Sequence, residues 1–347
     1  MKEISISQPD DFHLHLRDGP ALASVLVDSA RQFARAIVMP NLEPPVVTVE
    51  QALGYRQRIM DCLPEGSSFE PLMTIYLTDN TRPDEIRRLY ENEYVHAVKY
   101  YPAGVTTNAD QGVTTIDKVY ATLEAMAESG VPLLLHGEIN DADVDIFDRE
   151  QVFIEKILTP LMERFKDLRI VFEHITTEQA VQFVKQGPAT LAATITPQHL
   201  LYNRNALFEN GIRPHYYCLP VLKREAHRQA LVAAAVSGHA QFFLGTDSAP
   251  HARHAKENAC GCAGIYSAHA AIELYAEVFE QAGSLDQLEK FASFNGADFY
   301  GLARNRRKIT LQQQAWLIPD SLAFGESEII PLKAGETCRW KLVADGN

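Results

Sequence analysis

The chain has 347 residues, 46% hydrophobic and 22% charged, with a net charge of −13 at pH 7. That length allows two average domains or one large α/β barrel, and the negative charge argues against nucleic acid or an anionic membrane surface as a partner. No apolar run approaches the roughly 18 residues of a membrane span, the start MKEISISQPDD does not read as a signal peptide, and five cysteines, odd in number, are expected as reduced thiols of a cytoplasmic protein.

Along the chain, short apolar strands alternate with amphipathic helices. The first strand is FHLHL, within DDFHLHLRDG at 10–19, and ARAIVMPN, ending at Asn41, is the second. After the helical stretch VEQALGYRQRIMDCL come FEPLMTIYLTD, ending at Asp79, and HAVKYYP around Lys99. IDKVYATLEAMAESG leads to PLLLHGE with His136, and FIEKILTPLMERFKDL leads to RIVFEH, ending at His174. ATLAATITPQH and QFFLGTDSAPH complete the series. These strands are continuous apolar runs rather than alternations, the pattern of a parallel sheet buried on both faces. About eight strand–helix units, with no Gly-rich phosphate fingerprint after the first strand, predict an α/β fold of the (βα)8 TIM-barrel type. One domain is expected over 1–347. After about Leu302 the rhythm breaks, so a C-terminal extension (about 303–347) is expected to pack outside the barrel.

In such a barrel, active sites are built at the C-terminal strand ends. There this chain carries His13 and His15, then Asn41, Lys99, His136, His174 and Asp247. Side chains at i and i+2 of a strand share a face, so His13 and His15 are expected to converge while Phe12, Leu14 and Leu16 face the other way. A satisfied pair of strand histidines is the plain alternative for that segment alone. Four histidines, a lysine and an aspartate on five strand ends are hard to explain by packing, and imidazole with carboxylate suits zinc. Lys99 is either paired with a nearby acid or, as a neutral amine that has captured carbon dioxide, a carbamate bridging two metals. The residues alone leave both readings open.

HLH near the start, one lysine, two later histidines and a final aspartate resemble the pattern of the amidohydrolase superfamily. DDFHLHLRDG, RAIVMPNL, VKYYPAGVTTN, LLLHGE, FEHITT, ITPQHL and FLGTDSAPHARH are similar, over nearly the whole chain, to the short bacterial type of the dihydroorotase family. Only twelve residues precede His13, so the N-terminal β-sandwich portion of hydantoinase-like relatives is not expected here. The resemblance implies two Zn²⁺ per subunit, with His13, His15 and Asp247 on the more buried ion and His136 and His174 on the outer one. Carboxylated Lys99 (N6-carboxylysine) and a hydroxide would bridge them. Arg17, Asn41 and His251 would hold the substrate carboxylate, backbone groups near Leu219 and Ala263 would meet the ring, His136 would also line the substrate, and Thr106 and Thr107 would belong to a closing lid loop. It further implies a homodimer and reversible interconversion of N-carbamoyl-L-aspartate and dihydroorotate in pyrimidine biosynthesis. Asp247 would take the proton of the attacking water and return it to the ring nitrogen.

Several assignments have a physical reason of their own. Arg17 offers a planar fork that suits a carboxylate, and a local cation is needed because the chain would otherwise repel an acidic substrate; a surface salt bridge is the alternative. His251 could equally be a solvent-side histidine. The threonines lie between Gly104 and Gly112, so the loop can bend and offer hydroxyl donors. Tyr100, Tyr101, Tyr216 and Tyr217 read as packing. The CGC stretch, Cys260 to Cys262, has no second pair at zinc-finger spacing and reads as a tight turn lining the pocket. A hydantoinase, dihydropyrimidinase or allantoinase would share the metals and differ at the carboxylate-reading residues. A non-catalytic scaffold of the same fold predicts lost ligands, and none is lost here.

Overall fold

A computed structural model describes residues 2–259 and 261–343. Its main sheet has eight parallel strands in sequential order: β1 (Asp10–Leu14), β2 (Arg35–Val38), β3 (Glu70–Tyr76), β4 (Val95–Tyr100), β5 (Leu133–His136), β6 (Ile170–Glu173), β7 (Leu191–Ile195) and β8 (Phe242–Leu244). The first and last strands meet just past the end of β8. There Asp247 N donates to His13 O at 2.9 Å, His15 N donates to Ser248 O at 3.2 Å, and Leu14 bridges to Ser248. The sheet closes into the expected (βα)8 barrel.

Why the strands read as unbroken apolar runs is visible in their two faces. Phe12, Ile37, Leu72, Ala97, Leu134, Val171, Ala192 and Phe243, one from each strand, form an apolar cluster inside the barrel. Their neighbours Val38, Met73, Val98, Leu133, Phe172, Ala193 and Leu244 belong to the larger core beneath the helices. Helix Asn295–Tyr300 packs against the inner cluster: the Phe12 and Tyr300 rings stack at 5.0 Å. A Cβ on Gly296 would lie 2.2 Å from the Phe12 ring, so only glycine allows this approach.

The placement of Phe12 corrects the alternation expected of the first strand. The β1–β2 register shifts between Asp11 and Leu14, so Phe12 and His13 both reach the interior while Leu14 joins the outer core. A bulge of this kind re-aims side chains, and such bulges concentrate beside active sites. The stretch FIEKILTPLMERFKDL is also more structured than its periodicity implies. It runs from Arg149–Phe153 through a π turn, Ile154–Leu158, into Thr159–Arg164. The widened turn falls where Pro160 lacks an N–H, and Thr159 Oγ1 caps the Ile154 carbonyl at 2.8 Å.

Sequence periodicity gave no strand before residue 10, yet Glu3–Ser7 pairs antiparallel with Lys308–Gln312, which pairs in turn with Lys341–Val343. Ile309, Leu311, Trp340 and Leu342 of that tail are buried in the main core.

Candidate metal centre and substrate pocket

Two residues above the inner apolar layer, on the same strand faces, the side chains change character. Leu72, Ala97, Leu134, Val171 and Ala192 are followed at i+2 by Thr74, Lys99, His136, Glu173 and Thr194, each at most 1% exposed. Phe243 is followed by Gly245, where a Cβ would stand 2.7 Å from Thr194 and 3.1 Å from the His13 Cβ. Asp247 comes next on that side. The barrel therefore fills its lower half with hydrocarbon and its upper half mostly with polar and titratable groups.

Local backbone devices aim the remaining groups. Asp11 Oδ1 accepts from His13 N at 3.1 Å and from Thr246 N at 2.9 Å, tying β1 to the segment carrying Asp247. His174 and Asp247 both adopt left-handed backbone (φ 42° and 45°), a conformation that costs about 1–3 kcal/mol for a non-glycine residue and clusters at functional sites. At His174 it lets two consecutive residues, Glu173 and His174, face the same interior. The turn is fixed from behind by Glu150, a buried carboxylate accepting from the N–H and hydroxyl of both Thr176 and Thr177 at 2.6–3.1 Å.

His13 Nε2, His15 Nε2 and Asp247 Oδ1 form a triangle with sides of 3.2, 3.1 and 3.3 Å. A tetrahedral zinc with bonds of about 2.0–2.1 Å has ligand–ligand edges of about 3.3–3.4 Å, so the three donor atoms fit one face of such a site. His174 Nδ1 is buried without a hydrogen-bond partner, and the His174 ring lies 4.8 Å from that of His136 and 5.0 Å from that of His13. An orphaned buried nitrogen among imidazoles is what a second ion would satisfy.

Electrostatics sort these groups. Burial drives His15 down to about 4 and lowers His136 and His174, leaving neutral imidazoles, the form a metal binds. Burial also works against His13⁺, but the Glu173 and Asp247 carboxylates outweigh it and hold His13 up to about 9. Lys99 is fully buried against Glu173, and burial lowers its amine despite that partner.

Nearly every other residue singled out from the sequence lines one small cavity of about 30 Å³: Arg17, Asn41, Thr106, Thr107, Leu219, His251 and Ala263. Four of the metal-site residues, His13, His15, His136 and His174, floor it with Asp247, while Lys99 lies beneath. Arg17 Nε donates to Pro250 O at 2.8 Å and its Nη2 sits 3.0 Å from His251 Nε2. The loop carrying Thr106 and Thr107 is tied to Asn41 beside the cavity: Asn108 Nδ2 donates to Asn41 O at 3.2 Å, and Asn41 Nδ2 donates to Thr107 O at 3.4 Å. Space for about two waters remains.

A model of the amidohydrolase family matches residues 10–338. A dihydroorotase from Methylobacillus flagellatus is 64% identical over 339 residues, covering 98% of each chain. The chain belongs to the amidohydrolase family and, within it, to the dihydroorotases. Two solved dihydroorotases superpose with a TM-score of 0.90. The one from Campylobacter jejuni is 34% identical and covers 99% of this chain and 98% of its own. The other, from Saccharomyces cerevisiae in complex with 5-fluoroorotic acid, is 33% identical and covers 99% of both chains.

Sequence reasoning passed over Glu173 and the hydroxyl of Tyr101, whose ring packs with Tyr76, Val105 and Ala109 as expected. Glu173 Oε1 lies 3.1 Å from His13 Nδ1 while Oε2 meets Lys99; an acid inside the apolar run RIVFEH was the available signal. Tyr101, read as packing, lines the cavity with a buried hydroxyl that has no hydrogen-bond partner. Tyr100 and Tyr216 do pack in apolar cores. Of the CGC turn, Cys260 lies outside the described residues and Cys262 is a free thiol; Ala263 and Gly264, not Cys262, line the cavity.

Proposed function

We infer that this chain is a metal-dependent dihydroorotase, hydrolysing the cyclic amide of (S)-dihydroorotate to N-carbamoyl-L-aspartate and closing the ring in the biosynthetic direction. The observation that carries it is the meeting of a metal-shaped donor triangle, His13, His15 and Asp247, with a carboxylate-reading pair, Arg17 and His251, in one lidded cavity. The yeast relative's partner in its complex, 5-fluoroorotic acid, is an orotate analogue with the same carboxylate. A hydantoinase-like relative would have no use for Arg17 and Asn41 at that place.

Two Zn²⁺ would be held by His13, His15 and Asp247 and by His136 and His174, with carboxylated Lys99 as a further ligand. Burial favours the neutral amine of Lys99, the form that adds to carbon dioxide and releases a proton. When bound, the pair of ions supplies an acidified water and a Lewis acid for the amide carbonyl. The chain's own residues do the rest. Arg17, Asn41 and His251 fix the substrate carboxylate, and backbone groups at Leu219 and Ala263 orient the ring. Thr106 and Thr107 close over it and exclude water. Asp247 accepts the proton of the attacking water and delivers it to the leaving ring nitrogen.

We further propose one barrel domain over 1–347 with the tail from about 303 on its outside, in a cytoplasmic homodimer. Free thiols at Cys62, Cys218, Cys262 and Cys338 agree with a reducing compartment, and none of the described helices is long and apolar enough to cross a membrane. Phe208 and Ile212, 64% and 85% exposed on one loop, offer apolar surface for a second copy. The test of function is turnover of dihydroorotate before and after metal removal. Chelation should abolish it and two equivalents of zinc should restore it; activity that survives complete metal loss refutes the assignment.

A further inference from the structure

Lys256 has no place in the metal centre or among the groups assigned to the substrate carboxylate, yet it is 4% exposed. It ends the short helix Arg253–Lys256, five residues beyond His251. Long lysines at such positions normally extend their ammonium to water. This one turns inward and donates to three main-chain carbonyls: Tyr217 O at 3.0 Å, Cys262 O at 2.8 Å and Gly264 O at 2.5 Å. The three acceptors come from two segments far apart in sequence. Segment 217–219 ends at Leu219 and segment 262–264 brackets Ala263, and both of these residues line the cavity.

The arrangement is built around the cation. Gly264 N donates to Tyr217 O at 3.0 Å, joining the two segments directly. A Cβ on Gly264 would lie 2.8 Å from the His251 ring and 2.7 Å from Ala249 O, so the second segment is pressed against the carboxylate-reading histidine. An ammonium has three donors and no acceptor, and three carbonyl oxygens use all of them. Removing the charge would leave three oxygen dipoles converging on one point, and the segments would part.

We propose that Lys256 is a positioning residue for substrate recognition, its ammonium tying segments 217–219 and 262–264 together so that the backbone at Leu219 and Ala263 meets the substrate ring. The proposal rests on the dihydroorotate reading above. The clamp also has a pH limit. Among the described residues, the groups facing Lys256 are Arg17, His251, His215, Cys218 and Cys262. Burial outweighs the two thiols and, with Arg17, brings the Lys256 ammonium down to about 8. Burial keeps His251 neutral, down to about 2, lowers His215, and pushes the Cys218 thiol up to about 12. The clamp is intact at pH 7 and loses its third donor as pH rises through about 8.

The test compares zinc-loaded wild type with Lys256→Met and Lys256→Arg, measuring kcat and KM for dihydroorotate from pH 7 to 9.5 together with bound zinc. Lys256→Met should raise KM about tenfold or more at pH 7, the size of one net charge-assisted hydrogen bond, with kcat changed much less and zinc retained. Lys256→Arg should keep KM near that of the wild type and abolish the rise in KM that the wild type develops above pH 8. An unchanged KM in Lys256→Met overturns the proposal, as does a loss of zinc with kcat. If Lys256→Met fails to fold, the pH profiles decide: a rise in KM that persists in Lys256→Arg belongs to another group and refutes the clamp. Absence of dihydroorotate turnover in the wild type overturns the functional reading, and the proposal with it.

Discussion

Arg17→Met isolates the carboxylate contact without touching the metals. The backbone at Arg17 is left-handed (φ 61°) and its carbonyl is held by the Tyr55 hydroxyl. Methionine suffers the same local strain as arginine and keeps that contact, so the chain path should survive. The guanidinium spends two of its donors on Pro250 O and His251, and Arg17 lines the cavity, which leaves three donors for a substrate carboxylate. Two charge-assisted hydrogen bonds to a substrate carboxylate, at about 1.5–3 kcal/mol each, sum to about 3–6 kcal/mol. Dividing by about 1.4 kcal/mol per decade predicts a fall in kcat/KM for dihydroorotate of about 10²–10⁴-fold. Dihydrouracil, which has no carboxylate, should be affected little, so the ratio between the two substrates should narrow by most of that factor. The assay is loss of ring-amide absorbance for each substrate, with zinc content measured on the same samples. A variant whose kcat/KM for dihydroorotate stays within a factor of about three would refute the contact. An equal loss on both substrates would mark Arg17 as structural.

Lys99→Ala should lose most bound metal and nearly all activity, with partial rescue by a small carboxylic acid at high concentration; full metal content with near-normal turnover would exclude the carbamate. Asp247→Asn keeps an oxygen for the inner ion but cannot take a proton, so kcat should fall about 10²–10⁴-fold with metal largely kept, and wild-type kcat would remove Asp247 from the proton path. Replacing Thr106 and Thr107 together by alanine should lower kcat and raise KM with zinc unchanged; loss of zinc would place these threonines in the metal shell or the fold.

The barrel was legible because its strands are continuous apolar runs, and most of the candidate site because polar residues interrupt or end those runs. Polar residues at the ends of otherwise apolar strands have little packing reason to be there, and Lys99, His136 and Asp247 all follow that rule. What escaped were the places where the backbone leaves the pattern. The bulge in β1 sends Phe12 inward beside His13, which alternation forbids. The left-handed turn at His174 hides Glu173, because an ideal strand would aim only one of two neighbours at the site. Lys256 bonds to main-chain carbonyls, which carry no residue identity, so no side-chain spacing announces it. The edge strand Glu3–Ser7 finds its partner Lys308–Gln312 at the far end of the sequence, where a five-residue run gives too little signal to pair.

The central claim is that this barrel reads a cyclic amide by its carboxylate, and the selectivity of the zinc-loaded wild type measures it most directly. Dihydroorotate and dihydrouracil differ by that one group, and a site with buried donors for it rejects the analogue by about 10⁴-fold or more. The account predicts rapid turnover of dihydroorotate and negligible hydrolysis of dihydrouracil under the same conditions. Comparable kcat/KM for the two would contradict it and make this a hydantoinase-like enzyme.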